Sequence, residues 1–125
     1  PPSASPLPPT SDLDLIPFDH GLSFPGSLEG EVEELVWYDL EQVKGEVVKE
    51  VVEFVKDLDV EKDVALLRSH LSLRPACVFF FFLSNLALKR CIVDAHLSLH
   101  DTARVLYRED NTRPAPIELA YKRAK

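Results

Sequence analysis

Residues 75 to 93 read P-A-C-V-F-F-F-F-L-S-N-L-A-L-K-R-C-I-V, and no other stretch restricts the fold as much. Four successive phenylalanines, Phe79 to Phe82, would suit a strand, because aromatic side chains pack well on a pleated surface. The apolar pattern, however, continues through Leu83, Leu86, Leu88, Ile92 and Val93, which is too long for an ordinary strand. Pro75 fits the first position of a helix, where its missing N–H costs nothing. The stretch therefore predicts a helix, apolar nearly all round at its start and so the central, most buried element of the domain. Its longest uninterrupted apolar run, Ala76 to Leu83, is far short of the roughly 20 residues a membrane-spanning helix needs. A soluble chain without a transmembrane segment is expected.

Helical spacing recurs on both sides of that element. Val47, Val48, Val51, Val52 and Val55 repeat every three to four residues with charged side chains between them, which predicts a helix over about 46–57. Asp59 is a good N-cap, and Val60, Val64, Leu67 and Leu71 form one stripe, so a second helix is expected over about 60–70. Ser98 and Asp101 form an S-x-x-D capping signal ahead of a helix over about 99–109. Asn111 to Pro116 breaks the pattern, and residues 117–124 suit a short last helix. Earlier in the chain, Leu13 to Ile16 alternates with aspartates and meets Pro17, as a short strand leading into a turn would. Trp37 and Tyr38 offer a bulky anchor in the loop that follows. The first eleven residues hold five of the ten prolines and read as a disordered tail. The expected architecture is mainly α, with a strand-and-loop entry, over residues 12–125.

Composition narrows the function. The net charge of −7 argues against a nucleic-acid binder and against simple electrostatic attachment to an anionic leaflet. The closing K-R-A-K reads as a solvated helix end. Cys77 and Cys91 lie in apolar surroundings and read as buried free thiols in a reducing compartment. No basic-then-apolar layout of a signal peptide opens the sequence, so an intracellular protein is expected.

Few residues carry recognisable chemistry. His96 and His100 are four apart, a zinc spacing on one helix, but the expected cap at Ser98 falls between them and no second ligand pair exists. Neither Ser23 nor Ser98 sits in a nucleophile motif. The four glycines fit neither of the usual phosphate-cradling patterns. Asp19 is the exception, in L-I-P-F-D-H-G-L-S-F-P. A carboxylate at the end of a short apolar strand, followed by Gly21, can face a hard cation such as Mg²⁺. It can equally accept hydrogen bonds from its own turn.

The order of the pieces carries a resemblance. D-H-G between apolar residues and prolines is followed by an acidic loop, Trp37, D-L-D-V-E-K-D-V-A-L-L-R, R-P-A-C-V, L-A-L-K-R and L-Y-R-E. This succession, over about residues 12–110, resembles the C-terminal half of the catalytic domain of type II phosphatidylinositol 4-kinases, above all the plant gamma class. The resemblance implies the helical C-terminal lobe of a protein-kinase-like fold. It implies that Asp19 binds Mg²⁺ against the phosphates of ATP, with His20 and Gly21 completing the same turn. It implies ATP-dependent phosphorylation of phosphatidylinositol at the 4-position, in the cytoplasm and peripheral to membranes.

Phosphoryl transfer needs several positioned groups at once. This sequence has no nucleotide-covering loop, no strand lysine for the phosphates and no D-R-x-x-x-N loop, so no catalytic residue is assigned. The family's W-P-Q-A stretch is replaced by W-Y-D-L-E-Q-V. The chain is accordingly expected to be a partial lobe, inactive alone. The alternative is a small helical interaction module with vestigial kinase similarity, binding a protein partner or a second copy of itself through exposed apolar surface.

Overall fold

A computed structural model of the chain describes residues 24–125. The order of elements follows the expected helices closely. Helix α1 spans Lys49–Asp57, α2 Val60–His70, α3 Pro75–Lys89, α4 Leu99–Leu106 and α5 Pro116–Ala124. Short 3₁₀ turns at Val32–Glu34 and Glu41–Val43 punctuate the loop that precedes α1. Among the described residues there is no β-strand, only an isolated parallel bridge between Glu31 and Arg108. The architecture is mainly helical. The expected strand at Leu13–Ile16 and the expected tail lie outside the described residues.

Local signals explain most boundaries. Asp59 Oδ1 accepts the Lys62 N–H at 3.0 Å, and Ser98 Oγ accepts the Asp101 N–H at 3.0 Å, so α2 and α4 start at their capping residues. Pro75 occupies the first turn of α3 as expected. At the other end of α3 the Lys89 ammonium donates to the Leu58 carbonyl at 2.6 Å. That bond satisfies a carbonyl just past the end of α1 and ties that end to α3.

Two helices are shorter than their apolar spacing predicts. Glu46 to Val48 stay outside α1, with Val48 extended as its N-cap. Helix α4 stops at Leu106 rather than 109, because Tyr107 and Arg108 turn extended and pair with the loop. Arg108 donates its N–H to Gly30 O and accepts the Val32 N–H, both at 2.8 Å. Gly30 permits this approach: a Cβ there would come within 2.9 Å of the Tyr107 ring.

Helix α3 does not end at Lys89 but widens into a π-helical turn over Arg90–Asp94. The Ala95 N–H reaches Arg90 O and the Leu97 N–H reaches Cys91 O, both at 2.9 Å. His96, at φ 54°, takes the left-handed conformation that turns the chain out of the helix, a place usually filled by glycine. The π turn packs against both α1 and α4, and Ile92 within it is 1% exposed. Cys91, Ala103, Ala115 and Ile117 are buried with it.

The centrality of α3 agrees with expectation; its burial does not. It packs on α1, α2 and α4, but Phe79 is 41% and Leu86 38% exposed. The continuous helix Pro75–Asp94 is 20 residues long; its most apolar 18-residue stretch has a mean hydropathy of 1.7, and 22% of that stretch is buried inside the chain. By length and composition it is long and apolar enough to cross a membrane, which the interrupted apolar run did not reveal. The reason for its exposure is geometric: the helices around it cover part of its circumference, and the rest meets solvent.

Candidate functional site

Asp19, His20 and Gly21 lie outside the described residues. The described residues begin three positions after Gly21, at Phe24. The Phe24 ring lies 5.7 Å from that of Phe81, tilted by 49°, and Gly26 lies beside the Arg74 and Cys77 side chains. Phe24 and Gly26 are therefore seated on the N-terminal half of α3.

The chain then enters a polar corner. Arg108 grips Glu118 with two hydrogen bonds, Nε to Oε2 at 2.8 Å and Nη2 to Oε1 at 2.6 Å. The same carboxylate accepts the Ala115 N–H at 2.7 Å and so closes the first turn of α5. Glu118 is buried, and the Arg108 hydrogen bonds hold its carboxyl below the usual range despite the cost of burial. The guanidinium is raised in turn, chiefly by its hydrogen bond to Glu118. With the backbone bonds to Gly30 and Val32, this pair joins three parts of the chain. Its charges are matched within the corner, which makes it a structural tie rather than a catalytic group. Sequence reasoning missed it; the one local signal was a glutamate three residues after Ala115, behind Pro116.

The expected polar candidates sit apart from one another. His96 is at the end of the π turn. His100 stacks on Tyr38 with ring centroids 4.3 Å apart, and its Nδ1 lies 3.5 Å from Asp101. Tyr38, one of the two residues expected to anchor the loop, thus holds it onto α4. Ser98 is occupied as a helix cap. Burial pushes the Cys91 thiol up, which disfavours the thiolate that a nucleophile requires. Among the described residues no group of three or more His, Cys, Asp and Glu side chains could hold a metal ion.

Several clefts flank this frame, two of them beside α4 and α5. One, of about 550 Å³, lies between α4 and the 107–116 segment and carries Asp101, Arg104, Glu109, Asp110 and Arg113. Its charges are largely spent on one another: Arg104 binds Glu109, and Thr112 binds Asp110 through its hydroxyl and its N–H. Those Thr112 hydrogen bonds lower the Asp110 carboxyl. The other cleft, of about 400 Å³, opens between α3 and α5 and is apolar apart from Arg90 at its rim.

The chain is similar to plant lipid kinases. It is 38% identical over 77 residues to phosphatidylinositol 4-kinase gamma 3 of Arabidopsis thaliana, covering 61% of this chain and 13% of that protein. It is 30% identical over 114 residues to phosphatidylinositol 4-kinase gamma 4 of Oryza sativa subsp. japonica, covering 90% of this chain and 20% of the relative. With phosphatidylinositol 4-kinase gamma 6 of Arabidopsis thaliana it shares 31% identity over 117 residues, 90% of this chain and 18% of the relative. The chain thus spans a fifth or less of the length of these curated relatives. No protein-family model and no solved structure matches it. What the matches establish is partial similarity to a region of the plant gamma-class phosphatidylinositol 4-kinases.

Proposed function

We propose that this chain is a lipid-kinase-related region, the helical part of a C-terminal catalytic lobe, whose parent activity is ATP-dependent phosphorylation of phosphatidylinositol at the 4-position. The observation that carries this reading is the co-linear similarity over 90% of the chain to the rice relative. The mainly helical architecture is compatible with it. Asp19 supplies one carboxylate of the kind that Mg²⁺ takes together with phosphate oxygens, and Gly21 allows the turn behind it. The magnesium ion, when bound, would neutralise charge on the transferring phosphoryl group. The described helices serve as the frame that holds Phe24, three positions after Gly21, through Phe81.

The 125 residues contain no D-R dipeptide, so they lack a D-R-x-x-x-N loop and should not transfer phosphate alone. Purified chain that phosphorylates phosphatidylinositol vesicles would overturn that expectation. ATP with Mg²⁺ should raise the melting temperature, and should do so less in Asp19→Ala. An identical shift in both proteins, or none in either, sinks the nucleotide assignment.

A second reading has its own observation. Val36 and Leu40 in the loop and Val48 and Phe54 at α1 are large apolar side chains left exposed. An interaction module would use such a surface, and a complex indifferent to nucleotide would favour it.

A further inference from the structure

Helix α1 divides its apolar residues between two faces. Val55 is buried, and Val52 lines a small cavity with Ile92 and Leu97. Val51 and Phe54 stand instead 38% and 68% exposed. With Leu58, the C-cap of the helix, they follow at offsets of three and four, the spacing of a seam on which a second helix packs. Helix α1 packs chiefly on the π turn and α3, and leaves much of this seam to solvent.

The charged residues of α1 are sorted around the same axis. At about 100° per residue, Glu50 and Asp57 fall within about 60° of Phe54, seven positions apart on one edge of the seam. Lys49 and Lys56 fall at least about 140° from Phe54, on the back of the helix. Glu53 stands with them, 3.8 Å from Lys49. Among the described residues neither Glu50 nor Asp57 makes an ion pair. The seam is thus rimmed by unpaired negative charge, while the lysines of its own helix stand behind it.

We infer that this face of α1 is a docking surface for a basic amphipathic helix of a partner protein. Aliphatic side chains of that helix would cover Val51 and Phe54, and its lysine or arginine residues would face Glu50 and Asp57. Charges on the edge of a helical seam set the choice and orientation of the partner. A second copy of this chain does not fit. Laid antiparallel, two α1 helices would bring their acidic edges together; laid parallel, they would set Glu50 against Val55, which is uncharged and buried in its own chain. The same acidic rim repels an anionic membrane. The inference rests on the interaction-module reading, for which it names a partner class, and uses nothing of the kinase relationship.

The probe is a synthetic helical peptide of about 21 residues, three heptads, with leucine at a and d, lysine at e and g, and alanine elsewhere. A twin carries glutamate in place of lysine. Binding to the full chain is read by fluorescence anisotropy at physiological salt. The lysine peptide should bind and the glutamate peptide should not. Phe54→Glu should weaken binding by more than about tenfold with the melting temperature unchanged, since that ring is already in water. Glu50→Lys with Asp57→Lys should weaken the lysine peptide by a similar factor and transfer binding to the glutamate peptide. Glu33→Lys with Glu34→Lys changes the net charge equally, in the loop, and should leave binding as it was. No binding of the lysine peptide, or an equal loss in the loop variant, overturns the inference. Binding that survives both α1 variants also overturns it, but keeps the interaction-module reading with its surface elsewhere. Self-association broken by Phe54→Glu rejects it too, because a second copy would then cover the seam.

Discussion

The two ends of the helical array solve the same problem differently. At the α4–α5 corner, Arg108, Glu118, Gly30 and Ala115 exchange directional bonds, and Ala103, Ala115 and Ile117 are buried around them. Helix α1, by contrast, is as amphipathic as α4 but buries a single residue, Val55, and leaves Phe54 68% exposed. An apolar stripe makes burial possible; it does not supply a partner. The corner is closed because segments distant in sequence bring complementary polar groups to one place. The α1 side is held mainly by the π turn and by the Lys89–Leu58 bond.

Substitutions can break or sharpen this contrast. The largest loss should come from Ile92→Ala, which empties the best-buried side chain and should destabilise the chain by about 3 kcal/mol in urea unfolding. A value near zero would mean that the π turn is not the centre of the packing.

Next comes Glu118→Gln, which removes the charge but keeps the shape of the corner; it should cost about 2 kcal/mol at neutral pH. The sign of its pH dependence follows from a carboxyl lowered by the Arg108 hydrogen bonds. The stability it gives is fully present above its ordinary value of 4.5 and is lost as the pH falls through the depressed folded value. The gap between wild type and variant should therefore narrow in acid, which melting curves from pH 7 down to about 3 would check.

Ser98→Ala removes the cap of α4 and should cost about 1 kcal/mol. Phe54→Ala should shift the denaturation midpoint least, by under about 0.5 kcal/mol, because that ring is already in water. If Phe54→Ala matched Ile92→Ala, α1 would have to be covered by a partner in solution.

Much of this array was legible in the sequence because its signals are local. Asp59, Pro75 and Ser98 each mark a helix start within one turn of themselves, and α2 runs over the expected residues. The early end of α4 was not legible. Nothing between Leu99 and Glu109 says that Tyr107 and Arg108 will be taken by a loop near residue 30. The exposure of α3 was hidden for a related reason: an apolar composition tells how much surface wants cover, while the number of neighbours depends on tertiary placement. The D-H-G motif stood out as a short signal of residue types, but three residues cannot say which way Asp19 points.

The Glu31–Arg108 bridge joins positions far apart along the polypeptide. Closing so long a loop carries a large entropic cost before any contact rewards it. During synthesis, α2 and α3 can pair as soon as both have left the ribosome. The corner must wait for Glu118, so the nascent chain should pass through a stage with its central helix formed and its last tie still open.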